Sequence, residues 1–247
     1  MDILPAIDLR DGKCVRLLQG DYSKQIDYSD DPLAVARQFE QAGAVWLHVV
    51  DLDGAREGKS CNLPTIERIV SHTTMRVEVG GGLREFQAIE TLIDAGVIRC
   101  IVGTRALEDW AWFTDLVQRP QCKNRIALGL DARDGRLAVR GWTEQMQQTA
   151  IEVAQRVAGW PLAAIIYTDI ARDGMLQGPN VEATRQMAEK SKISVIASGG
   201  VTTIEDVRKL IELPIGGIII GRSLYEKKID LTEAIRLAGG ISDGSKI

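Results

Sequence analysis

The chain has 247 residues, 45% of them hydrophobic, enough apolar content for a sizeable core in one or two domains. Its net charge of −4 is spread over both signs, without the dense basic tract of a nucleic-acid binder, and no apolar run approaches the roughly 20 residues that a membrane span needs. The four cysteines form no C-x-x-C pair, and the start MDILPAIDLRDG lacks the pattern of a secretory signal, so free thiols in the cytoplasm are expected.

Short apolar runs and amphipathic stretches alternate along the chain. ILPAID (3–8) reads as a strand ending in an acid, followed by a long loop, RDGKCVRLLQGDYSK. Residues 31–43 read as a helix, with Asp31 as cap, Pro32 in the first turn and Gly43 at the end. Leu33, Ala36 and Phe39 recur there at helical spacing. Strands then fall at 45–51, 76–79 and 99–103, with helices from Leu63, at 85–96 and at 108–117. The second half repeats this. Strands read at 125–131, 163–169, 194–198 and 216–221, and helices at 147–158, 181–190, 203–212 and 231–237. Thr202 with Glu205 resembles a capping box.

Eight apolar strands, each followed by a helix, predict a parallel sheet. Eight such units in about 240 residues fit a closed (β/α)8 barrel. We expect one barrel domain over 1–240, with 241–247 as a frayed tail. The chain also repeats itself. The spacing is 118 residues from Asp51 to Asp169, from Gly81 to Gly199 and from Gly103 to Gly221. Asp8 and Asp131 are 123 apart, the difference falling in the longer first loop. A constant offset with matching residue types predicts two half-barrels.

In this architecture, chemistry sits where strands end at the C-terminal face. The first and fifth strands lie opposite, so Asp8 and Asp131 face each other over the mouth, an arrangement for one carboxylate to take a proton and the other to give one. Asp51 and Asp169 read equally as loop pins, accepting backbone N–H bonds. Glycine-rich turns after a strand gather N–H groups that bind phosphate. One such seat is Ser198, Gly199 and Gly200 with Gly221 and Arg222. Its repeat partner is Gly81, Gly82 and Arg84 with Gly103 and Thr104. Two seats on opposite sides imply a small-molecule substrate with a phosphate at each end, and proton transfer near its middle.

Other residues are less determined. Arg16 and Gln19, in the first loop, can reach a ligand or simply face solvent. Trp142 can stack on a planar ring or lie under a loop. Thr168 or Asp173 can supply a hydrogen bond or a proton. His48 reads as a barrel-lining residue and His72 as a solvent-facing helix end. Neither has Cys or acid partners at ligand spacing, so no zinc site is expected.

The stretches LPAIDLRDGKCVRLLQGDY, HVVDLDGA, VEVGGGLR, GLDARDG, GWTE, YTDIARDGMLQGPN, ASGGV and IIIGRSLYE together resemble the phosphoribosylformimino-5-aminoimidazole carboxamide ribotide isomerase family of histidine biosynthesis, over about residues 1–238. That resemblance implies an Amadori rearrangement of a two-phosphate ribotide, without metal or redox cofactor. It implies Asp8 as base, Asp131 as general acid, and Thr168 and Asp169 in support. The related cyclase of imidazole glycerol phosphate synthase ranks second: this chain has AIDLRDG where the cyclase has a CLDV-like strand followed by lysine. A second activity on phosphoribosylanthranilate stays open, and a monomer is expected.

Overall fold

The computed structural model describes residues 1–18 and 20–239, so the expectations for Gln19 and for the tail 241–247 lie outside the described residues. Among the described residues, eight parallel strands form the wall of a barrel: Asp2–Arg10, Trp46–Asp51, Arg76–Gly80, Arg99–Val102, Ile126–Arg133, Ala164–Asp169, Val195–Ser198 and Gly217–Ile220. Each pairs with the next, and the eighth returns to the first with Leu4 beside Ile219. The fold is the (β/α)8 barrel, with the first and fifth strands diametrically opposed.

Two periodicities build it. Along each strand, alternate side chains point inward and outward. Leu4, Ala6, Trp46, Ala127, Ala164, Ile166, Ile196 and Ile219 pack into a small cluster inside the barrel. Their neighbours Ile3, Ile7, Leu47, Val49, Val77 and Val79 join the larger layer between strands and helices. Each helix turns an apolar stripe to that layer. Pro32–Gln41 buries Leu33, Val35, Ala36 and Phe39, and its cap Asp31 accepts from the Leu33 N–H.

The structure departs from the expectations in three places. The first loop is an antiparallel hairpin, Lys13–Leu18 with Asp21–Ser29, that continues the first strand. The fifth loop carries a second hairpin, Arg136–Val139 with Glu144–Thr149. As a result, the following helix begins at Ala150, three residues later than its pattern suggests, capped by Thr149 and Glu152. The capping box of Ile204–Ile211 is Thr203 with Asp206, one residue on from the expected pair. Thr202 is buried instead, donating to the Gly200 carbonyl at 2.6 Å. Among the described residues, no helix is long and apolar enough to cross a membrane.

Candidate active site

One cavity of about 310 Å³ opens among the loops at the C-terminal ends of the strands. Of the described residues singled out in the sequence as site candidates, all line it except Asp51, Asp169 and the distant His72. Those two acids serve the loops. Asp51 accepts from the N–H groups of Gly54 (2.8 Å), Cys61 (2.7 Å) and Asn62 (3.0 Å), and from Asn62 Nδ2 at 2.7 Å. Asp169 accepts from the Ala171 N–H at 3.0 Å and from Asn180 Nδ2 at 2.7 Å. The asparagines keep the 118-residue offset, so this signal for a paired Asp–Asn pin was present in the sequence and went unread.

The pins hold the glycine turns. Gly81 and Gly82 have φ of +104° and +71°, and Gly199 and Gly200 have +92° and +85°. A Cβ on Gly81 would lie 2.1 Å from the Asp51 carbonyl oxygen, and one on Gly199 would lie 2.7 Å from that of Asp169. Only glycine allows this approach of two backbones. Gly103 and Gly221 also match, with φ, ψ of −110°, −99° and −104°, −105°. The two arginines differ. Arg84 lies over Gly58, with Nη2 3.4 Å from the Ala55 carbonyl. Arg222 donates to the Gly174 carbonyl at 2.7 Å and pairs with Glu226 at 3.2 Å.

Between the turns lie two carboxylates with unlike neighbours, Asp8 buried and Asp131 partly buried. Asp8 accepts from Arg16 Nη1 at 2.9 Å, and the other guanidinium nitrogen, Nη2, pairs with Asp173. Burial raises the Asp8 carboxyl above its ordinary range, against the pull of Arg16. The Arg16 proton is also held more tightly than usual, because the two carboxylates outweigh its burial. Asp131 accepts from Trp142 Nε1 at 2.8 Å and sits in register with Thr168 on the sixth strand. Burial raises it too, opposed only by neutral hydrogen bonds and more distant charge. Thus Arg16 favours the anion at Asp8, while among the described residues no cation contacts Asp131 directly. That division suits a base and an acid.

The hairpins complete the mouth. Arg16 comes from the first hairpin, and Trp142, at φ +71°, from the turn of the second. The Trp142 ring packs against Gly20, where a Cβ would lie 2.9 Å from Cε3. On the floor, His48 is buried and bonds through Nδ1 to Glu78 at 2.6 Å. His72 is exposed at its helix end. Sequence reasoning missed Glu78, although a lone acid in the apolar run RVEV was a signal. Among the described residues, no three His, Cys, Asp or Glu side chains are grouped to hold a metal ion.

Comparison with known proteins adds an independent line. The family model described as histidine biosynthesis protein matches residues 2–230. A Crocosphaera subtropica protein named 1-(5-phosphoribosyl)-5-((5-phosphoribosylamino)methylideneamino)imidazole-4-carboxamide isomerase is 51% identical over 242 residues, covering 97% of this chain and 93% of its own. The equally named protein of Thermodesulfovibrio yellowstonii is 49% identical over 247 residues and covers all of both chains. That of Synechocystis is 50% identical over 244 residues, covering 97% of this chain and 94% of its own.

Proposed function

The chain belongs to the histidine biosynthesis protein family, and from that premise we propose that it isomerises the two-phosphate ribotide of its relatives' name, an aminoaldose, to the aminoketose. The observation that supports this best is a single cavity joining two matched glycine turns with two differently partnered carboxylates between them. We assign one phosphate to the turn of Gly81 and Gly82 with Arg84, Gly103 and Thr104. The other goes to Ser198, Gly199 and Gly200 with Gly221 and Arg222. Glycine turns of this kind present backbone N–H groups to an anion, and Arg84 and Arg222 add charge.

In this reading, Asp131 gives its proton to the ribose ring oxygen. The ring opens as the amine nitrogen forms a Schiff base at C1. Asp8 takes the proton from C2, and the C–H electrons become the C1–C2 double bond of an enolamine. Protonation at C1 and loss of the C2 hydroxyl proton then give the ketone. Burial makes Asp8 a stronger base than a solvated carboxylate and favours the protonated form of Asp131. Arg16, Asp173, Thr168 and Trp142 orient these two groups. Asp169 supports the site from behind by fixing the loop after the sixth strand.

We expect the protein to act as a monomer, with Asp8, Asp131 and both glycine turns lining one cavity of the same barrel. The four cysteines are free, which fits a reducing cytoplasm. The test is incubation of purified protein with the aminoaldose alone, separating substrate and product by chromatography. Conversion without ammonia supports the isomerase. Consumption of only the ketose, and only with ammonia, identifies a cyclase instead.

A further inference from the structure

Inside the barrel, three charged or polar side chains line up across three neighbouring strands. His48 is in register with Glu78, and Glu78 with Arg99. His48 Nδ1 lies 2.6 Å from Glu78 Oε1, while Arg99 binds Oε2 through Nε at 2.6 Å and through Nη2. Glu78 is fully buried, and the Arg99 guanidinium lies over the Trp46 ring at 4.3 Å. None of these contacts belongs to the acid–base pair or to either glycine turn.

An ion pair in this position is a poor device for stability. Desolvation of two charges offsets much of their attraction, and well-packed apolar side chains often do as well. The arrangement does dictate the state of His48. Glu78 receives Arg99 on one oxygen, which favours its ionised form, and a carboxylate only accepts hydrogen bonds. The hydrogen between Glu78 and His48 therefore sits on Nδ1. Among the described residues, no group bonds the other ring nitrogen, Nε2. His48 lines the same cavity as Asp8 and Asp131, and its side chain keeps 11% exposure there.

We propose that Glu78, backed by Arg99, is a positioning residue that fixes the His48 ring with a hydrogen on Nδ1. Nε2 is thereby presented to the cavity as hydrogen-bond acceptor for a hydroxyl at the reacting carbons of the sugar. This rests on the isomerase reading, in which the C2 hydroxyl must shed its proton as the ketone forms. Asp8 and Asp131 are already engaged with the C–H proton and the ring oxygen. A bare imidazole nitrogen orients that hydroxyl without adding a further negative charge beside Asp8 and Asp131. The logic is that of any histidine whose tautomer is set by the partner of its other nitrogen.

The chain has only two histidines, so nitrogen-15 NMR of the imidazoles is simple to assign, with H72Q removing the exposed one. In the unmodified protein, we expect His48 with hydrogen on Nδ1 and none on Nε2. A neutral ring with hydrogen on Nε2, or a doubly protonated ring at neutral pH, overturns the proposal. This measurement needs no substrate, so it stands apart from the isomerase reading, which fails if the unmodified protein leaves the aminoaldose unchanged. The kinetic test is E78L/R99M, which removes both charges together, leaves neither unpaired, and takes away the acceptor for Nδ1. We expect kcat to fall about 10-fold or more, with KM and the affinity for inorganic phosphate unchanged. Unchanged kcat, or an equal loss in phosphate affinity, assigns the triad to packing alone and refutes the proposal.

Discussion

Replacing Asp8 by Asn separates the chemistry of this carboxylate from its place in the fold. If Asp8 removes the C2 proton, the amide cannot, and turnover should fall by about 10²- to 10⁴-fold. At about 1.4 kcal/mol per tenfold, that is roughly 3 to 5 kcal/mol of transition-state stabilisation. The fold should not suffer in parallel. Orphaning a buried charge costs about 3–5 kcal/mol, but Arg16 retains Asp173, and an Asn oxygen can still accept from Nη1. The linkage has a definite sign. The folded state raises the Asp8 pKa, so the stability this group contributes is present below its unfolded value and is lost as pH rises through the folded one. At neutral pH, D8N should therefore melt at or above the parent temperature. The assays are turnover of the aminoaldose, calorimetric melting and binding of inorganic phosphate, which should persist. Parent-like kcat would remove Asp8 from the role of base. A melting point lower by more than about 4 °C, roughly 1–2 kcal/mol for a chain of this size, would overturn the linkage argument.

Three further outcomes are expected. Trp142→Phe removes an N–H donor that favours ionised Asp131, so the basic limb of the kcat/KM profile should move to higher pH; a limb that stays put belongs to another group. Asn180→Ala takes a donor from buried Asp169 and should cost about 1–3 kcal/mol in urea unfolding. Asn62→Ala should cost more, because Asn62 Nδ2 serves both Asp51 and Asp53, and Oδ1 accepts from the Gly12 N–H; the reverse order would refute the pin assignment. Gly81→Ala drives a Cβ to 2.1 Å from a backbone oxygen, whereas Gly159→Ala, at φ +82°, meets nothing within 4 Å. The second should lose only the left-handed term of about 1–2 kcal/mol. The first should lose more and raise KM, and equal losses with unchanged KM would dismiss the steric argument.

Much of the barrel was legible because its signals are local. An apolar run of strand length, a capped amphipathic stretch and a terminal glycine each declare an element without reference to distant chain. The matched offsets of Asp51, Gly81 and Gly103 with their partners extended this to the half-barrel repeat and to both glycine turns. The hairpins escaped because Asp21–Ser29 reads DYSKQIDYS, largely polar and exposed. Tyr22, Ile26 and Tyr28 alternate there, but a polar majority masks them, and the partner Lys13–Leu18 supplies the pairing. The capping box slipped by one residue because Thr202 and Thr203 are equivalent in sequence. Only the bend of the chain decides which hydroxyl meets the Asp206 N–H.

The sequence by itself determined the strand–helix alternation, the duplication and the residue types at the strand ends, all of which follow from periodicity and spacing along one dimension. Tertiary structure decided which of those residues share a cavity and which serve the loops. It set Asp8 against Arg16 and Asp131 against Trp142, and so gave two chemically identical carboxylates different surroundings. It also brought His48, Glu78 and Arg99 into one register across three strands. The physical reason is common to all of these. Proton affinity and hydrogen-bond direction depend on burial and on neighbours from distant parts of the chain, and these are fixed only when the sheet closes.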